Sequence, residues 1–356
     1  MNPKRLYEID ILRFLAAIMV VFFHYTLETY NTHHFYLIDN DVINSFFLKG
    51  NFGVRLFFII SGFVILLSAL NSTPKKFVKS RILRLFPAFA IMCTITFFVC
   101  TVFDKAYNVS IKDYLINFTL IGTFASWAGV KLVAGVYWTL IVEMQFYFFI
   151  FLLLALKKID LIRYALISWL VLSIVTYYGE LYFNYHSIFN KIRMLFITEH
   201  SYYFIAGCYF YLIKYHRKRF DVIIPLITLG FALLCFVNHP NNLLSLGGII
   251  LLISFFAVFY VVALYDLSFK RNLSLYKAMG NLTYPLYLVH ENIGIILINV
   301  LLLHLPRGLV LLLCVSTMLF LTYLFNIYIE TPLTKNFKAL LFGRSVALPK
   351  SVQNGS

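Results

Sequence analysis

The chain has 356 residues, of which 61% are hydrophobic and 13% charged, with 30 Lys and Arg against 15 Asp and Glu and a formal net charge of +15. Soluble domains carry about 25% charged residues, so this composition excludes a soluble globular protein. The bases fall in short clusters between apolar runs, the pattern that encodes membrane orientation, which sets nucleic-acid binding aside.

Apolar stretches of spanning length recur at residues 9–29, 53–70, 86–103, 133–156, 161–178, 201–212, 222–237, 244–265, 282–304 and 309–329. They predict an all-α polytopic bundle of about ten spans. The sixth and seventh are marginal in length, and 111–127 reads as a re-entrant or interfacial element. The first span lacks a small-residue cleavage site and carries ionisable residues, so it is expected to stay as a helix rather than be removed as a signal. Lys and Arg number 21 in the connections assigned inside and 7 in those outside, with Arg13 and Arg55 left within spans. Both termini are therefore expected in the cytoplasm. The core domain is taken as 1–340, followed by a cytoplasmic tail, 341–356.

Arg13 and His24 lie eleven residues apart on the first span, close to three helical turns, so they share one face about 16 Å apart. Intramembrane ionisable groups are costly and face a protein interior or a watery cavity. By depth, Arg13 sits near the inner boundary and His24 toward the outer face. Glu143 on the fourth span reaches a depth close to that of His24. A histidine beside a carboxylate is the usual arrangement of a general base, so His24 and Glu143 are read as the catalytic pair. The competing reading is an interhelical hydrogen-bond pair that holds the bundle together.

In the third span's approach, Arg81 and Arg84 share a helical face near Arg13 by depth. Guanidinium groups grip phosphates bidentately, and a lipid-headgroup anchor is the alternative. Ser61-Gly62 places small residues mid-span, suited to close helix approach or a channel wall. On the ninth span Asn281, Tyr284, Tyr287 and His290 recur every three residues along one face. The five cysteines, Cys93, Cys100, Cys208, Cys235 and Cys314, all lie in apolar runs without a CxxC pair or metal-ligand spacing; they read as packing residues, and no metal is expected.

Six ordered motifs resemble the membrane-embedded acyltransferase-3 family: Arg13-x10-His24 preceded by Asp10; Phe57-Phe58-Ile-Ile-Ser61-Gly62-Phe63; Arg81-x-x-Arg84-x-x-Pro87; Trp138-Thr139-Leu-x-x-Glu143-x-x-Phe146-Tyr147; Tyr284-Pro285-Leu-Tyr287-Leu-Val-His290; and Glu330-Thr-Pro332. Thr139 stands where the family more often has serine, and Arg55 where it more often has an acidic residue. Arg55 is expected either to meet an acidic acceptor sugar or to pair with Glu28 or Asp39.

The resemblance implies a membrane O-acyltransferase of the bacterial inner membrane that modifies polysaccharide. It would move an acyl group, expected to be acetyl, from cytosolic acyl-CoA to a hydroxyl of an envelope or exported glycan, lipid-linked or free. Arg13, Arg81 and Arg84 would hold the CoA phosphates; Asp10, Ser61, Trp138, Tyr284, Tyr287 and His290 would line the acceptor site or channel. Acyl-CoA enters as co-substrate, with no permanently bound cofactor, and membrane lipids are the remaining partners. The alternative is a transporter or flippase for a lipid-linked glycan, using the same polar stripe as its path. A purely structural scaffold leaves ionisable residues on three spans without a role.

Overall fold

The computed structural model describes residues 5–119, 129–182, 186–238, 246–265 and 272–342, which form helices joined by short connections. In chain order the helices are α1 (Tyr7–His33), α2 (Asp41–Leu48), α3 (Phe52–Leu70), α4 (Pro74–Phe103), α5 (Ile111–Asn117), α6 (Trp138–Ala155) and α7 (Ile162–Tyr182). There follow α8 (His186–Phe196), α9 (Ser201–His216), α10 (Ile223–Val237), α11 (Leu246–Leu264), α12 (Leu273–Leu301), α13 (Arg307–Phe325) and α14 (Thr331–Phe342), the last joined to α13 through a π-turn at Asn326–Glu330. This is the polytopic helical bundle that the apolar periodicity predicts, and the chain is an integral membrane protein.

Among the described residues nine helices are long and apolar enough to cross a membrane, against the ten expected from the sequence. The difference is α9, whose 16 residues span only about 24 Å. Every residue from Ser201 to Ile213 is buried, so α9 is wrapped by other helices rather than by lipid. Within the 111–127 element α5 is started by a Ser110–Asp113 capping box; residues 120–127 lie outside the described residues, as do 343–356 of the tail.

Local chemistry sets the helix starts. Thr73 accepts a hydrogen bond from Lys76 N (3.4 Å) with Pro74 at the first helical position, so α4 begins twelve residues before the apolar run at Phe86. Cap and proline at this spacing are a helix-start signal. Arg81 and Arg84 therefore sit within α4 rather than in front of it. Asn40 caps α2 by accepting from Ile43 N (3.0 Å).

Helix direction follows from paired contacts. α1 and α12 run parallel: Arg5 meets Asn281 (3.2 Å), His24 meets Glu291 (3.7 Å) and His33 meets Asn299 (2.9 Å). α3 and α9 are parallel too, with Phe58 on Phe204, Cys208 donating to Gly62 O, and Phe63 on Tyr211. α6 opposes α12, since Val136 contacts Glu291 while Thr139 contacts Tyr287. All three relationships match strict alternation of successive spans, with α9 counted as one.

Gly62 and Gly207 explain how α3 and α9 come so close. A Cβ at Gly62 would fall 2.1 Å from Phe204 O, and one at Gly207 2.0 Å from Ile59 O. Only a missing side chain lets the backbones meet, the small-residue packing expected of Ser61-Gly62. The apolar interior forms two clusters, one around α3 and α9, the other around α1, α4, α12 and α13. Val54, Phe57 and Tyr284 pack against both clusters. All three also line the central cavity, so the site lies at the seam of the bundle.

Candidate active site

At the end of the bundle that carries the α1 and α12 N-termini, a cavity of about 690 Å³ is bounded by α1, α3, α4, α12 and α14. Arg5, Arg13, Arg81, Arg84 and Lys338 line it, against the carboxylates Asp10 and Glu330. Arg5 Nε takes Asp10 at 2.5 Å, and Glu330 accepts from Asn326 (2.7 Å). Gly280 makes room for Asp10, because a Cβ there would lie 2.3 Å from Asp10 Oδ1. Arg81 donates to the Ser68 and Ser80 hydroxyls (3.1 and 3.0 Å), while its Nε is buried without a partner. The lining is thus an excess of guanidinium groups with an unused donor, chemistry that suits phosphate oxygens.

A smaller central cavity, about 80 Å³, shares the walls Arg13, Arg84 and Tyr284 with the first. Two prolines sit at this level, Pro87 inside α4 and Pro285 inside α12. Each removes one helical hydrogen bond. Tyr284 ties the two helices together by donating to Leu85 O (3.2 Å). Ser61, Thr139, Glu143, Tyr147, Thr283 and Tyr287 complete the polar lining. Glu143 accepts from the Ser61 hydroxyl and from Tyr147 OH (2.7 Å).

That placement corrects the pairing drawn from depth. His24 lines neither cavity, and Glu143 is engaged with Ser61 and Tyr147; the carboxylate beside His24 is Glu291, with Oε1 3.7 Å from His24 Nδ1. Matching two spans by depth fixes one coordinate only, and the azimuth of α6 turns Glu143 toward α3. Glu291 is held in place from behind. Its Oε2 accepts from Val136 N (2.8 Å), and Gly135 leaves the space it fills, since a Cβ there would meet Oε1 at 2.7 Å. The short 3-10 turn Gly135–Tyr137 that opens α6 is therefore the seat of this carboxylate.

His290 stands beside the pair, its ring 5.3 Å from that of His24 and 5.5 Å from that of Tyr287. Its Nδ1 is 2.9 Å from Tyr287 O. A carbonyl only accepts, so Nδ1 carries the proton and Nε2 is the basic nitrogen, buried with no protein partner. Tyr287 in turn reaches the Thr139 hydroxyl (2.8 Å) and faces the central cavity. The order from the basic end is arginine cavity, neck, central cavity, Tyr287, His290 and His24 with Glu291.

The sequence-predicted residues divide accordingly. Arg13, Arg81 and Arg84 come together with Asp10 at the basic cavity, and Ser61, Tyr284 and Tyr287 at the central one. His290 lies beyond it. Trp138 is elsewhere, in a third cavity, with its ring 5.2 Å from His200. Arg55 pairs with neither Glu28 nor Asp39 among the described residues; its guanidinium lies 4.0 Å over the Phe52 ring. Glu291, Gly135, Arg5 and Lys338 were not singled out from the sequence. Glu291 had a signal, since it follows His290 directly on the span already marked by its polar face.

The family model described as an acyltransferase domain, acyltransferase-3, matches residues 6–326, nearly the whole chain. The chain belongs to this family and is a membrane acyltransferase. No curated protein and no solved structure matches it.

Proposed function

We propose that the protein is an O-acyltransferase of the bacterial inner membrane, taking the acyl group, acetyl in the simplest case, from cytosolic acyl-CoA. The acceptor is a hydroxyl of an envelope or exported glycan, reached from the opposite side. The observation that carries this reading is the wall shared by the two cavities: Arg13, Arg84 and Tyr284 join an arginine-rich chamber to a narrow one whose wall residue Tyr287 has its ring 5.5 Å from that of His290.

In this reading Arg13, Arg81 and Arg84, with Lys338 beside them, grip the CoA phosphates, and the thin pantetheine arm passes the neck. Ser61, Tyr284 and Tyr287 line its path, with Glu143 anchoring Ser61 and Tyr147. Glu291 orients His24 through Nδ1 and stabilises the imidazolium. His24 Nε2 takes the proton of the acceptor hydroxyl as its oxygen attacks the thioester carbonyl; the C–S bond breaks, and the thiolate leaves with the proton from the imidazolium. At 3.7 Å the contact is longer than a hydrogen bond, and this mechanism requires it to shorten when substrate binds. With both termini in the cytoplasm, as the loop charges predict, the basic chamber faces the CoA pool.

Mass spectrometry of envelope glycans from cells with and without the protein tests the reading. The expected result is a glycan heavier by one acyl group only when the protein is present. An identical glycan profile in both contradicts it.

A further inference from the structure

On the far side of α3 from α1, a cavity of about 290 Å³ lies among α3, α7, α9 and α10. Its charged groups are Arg55, Arg193, Glu180 and Glu199, with His200 at the edge. Arg193 is fully engaged: Nε is 3.4 Å from Glu180, Nη1 3.7 Å from Glu199, and Nη2 donates to Asn190 (2.8 Å). Arg55 is different. Among the described residues it has no carboxylate within ion-pair distance; it lies over Phe52 beside Tyr203, and its Nη1 is buried with no partner. Burying a guanidinium N–H unsatisfied is costly, and a site with one such donor is incomplete without an acceptor.

We infer that this cavity binds an acidic sugar unit of the acceptor glycan. The cavity's two arginines and two glutamates balance overall, but both glutamates sit at Arg193, and a carboxylate matches the free edge of the Arg55 guanidinium fork. The remaining wall is aromatic and hydroxylic, with Tyr177, Thr198, Tyr202 and Phe236 around the space, which suits a ring with apolar faces and hydroxyl edges. Its volume is at the small end of ligand pockets, ~300–1,000 Å³, and it is no groove for an acyl chain.

A neighbouring cavity of about 420 Å³ shares Arg193, Glu199 and His200 with it and extends to Trp138. The next residue, Thr139, bonds Tyr287. The two spaces thus lead from Arg55 toward the catalytic end of α6, a course for an extended saccharide rather than a monosaccharide. The inference rests on the acyltransferase reading for its word acceptor, while the binding chemistry stands on the cavity itself.

The test uses the full chain in phosphatidylcholine nanodiscs, with a short oligouronate and a neutral oligosaccharide of equal length as probes and saturation-transfer NMR as readout. The oligouronate should bind saturably and the neutral sugar at least about tenfold more weakly. Arg55→Gln should weaken the oligouronate by about tenfold or more, with Arg55→Lys in between. Ala232→Leu, which fills the cavity and leaves the charge, should also abolish binding. Acyl-CoA binding, measured on the same samples, reports folding and should be unchanged in all three variants. Oligouronate affinity indifferent to Arg55→Gln overturns the inference, and so does equal binding of the two sugars. Arg55-dependent retention of phosphatidylglycerol without uronate binding assigns the cavity to a lipid headgroup instead and equally overturns it. If acyl-CoA fails to bind even the unaltered protein while the oligouronate binds, the acyltransferase reading falls and the acidic-sugar site stands.

Discussion

Glu291 Oε1 lies 3.7 Å from His24 Nδ1 across the parallel helices α1 and α12, and the same carboxylate is fastened by Val136 N at 2.8 Å. Glu143, on α6, serves Ser61 and Tyr147. Glu291→Gln should therefore lower kcat by about 10²-fold, since the neutral amide neither fixes nor stabilises the imidazolium, with the donor KM little changed. Glu143→Gln should cost less in kcat. Steady-state transfer assays on both variants check this; a larger kcat loss for Glu143→Gln would restore the pairing drawn from depth.

Gly135 offers a subtler version of the same test. A Cβ at this position would sit 2.7 Å from Glu291 Oε1, so Gly135→Ala should push the carboxylate off its seat without removing any charged group. Transfer should fall about tenfold or more while acyl-CoA affinity holds. A Gly135→Ala protein with full activity would show that the placement of Glu291 is immaterial.

Arg13 and Arg84 wall both cavities, whereas Arg81 lines the basic one alone. Alanine at any of the three should weaken CoA binding by roughly tenfold, and lysine should restore only part, because the planar fork is lost. Dephospho-CoA should be less sensitive to one of these arginines than CoA is. Titration of the detergent-purified protein with both ligands decides, and affinities unmoved by all three substitutions would return the cluster to lipid anchoring.

The charge asymmetry of the connections predicts the bundle's polarity. Single cysteines introduced at Lys76 and Lys218, in a background without the native five, should react with impermeant maleimide only from the cytoplasm. Cysteines at Asn40 and Lys105 should react only from outside. All four positions are exposed. Outside labelling at position 76 would separate the arginine chamber from cytosolic CoA.

The helical bundle was legible in the sequence because apolar length and charge asymmetry encode it directly, and so was the arginine chamber, whose members share one depth and one type of chemistry. The carboxylate beside His24 was not. Depth is a single coordinate, and His24, Glu143 and Glu291 differ mainly in azimuth, which the packing of α1 against α12 decides. α9 shows the converse limit, since a helix enclosed by protein needs no lipid-length apolar run. Arg55 stood out by residue type alone; that its glutamate neighbours are taken by Arg193 is visible only in three dimensions.

The central claim is that His24 carries the chemistry of acyl transfer. Sealed membrane vesicles loaded with labelled acyl-CoA on the basic side, prepared with unaltered protein or with His24→Ala, measure it directly through label recovered in glycan. The unaltered protein should transfer label, and His24→Ala should reduce the rate by about 10²–10⁴-fold while binding acyl-CoA with the same affinity. A folded His24→Ala protein that transfers label at the original rate would contradict the account.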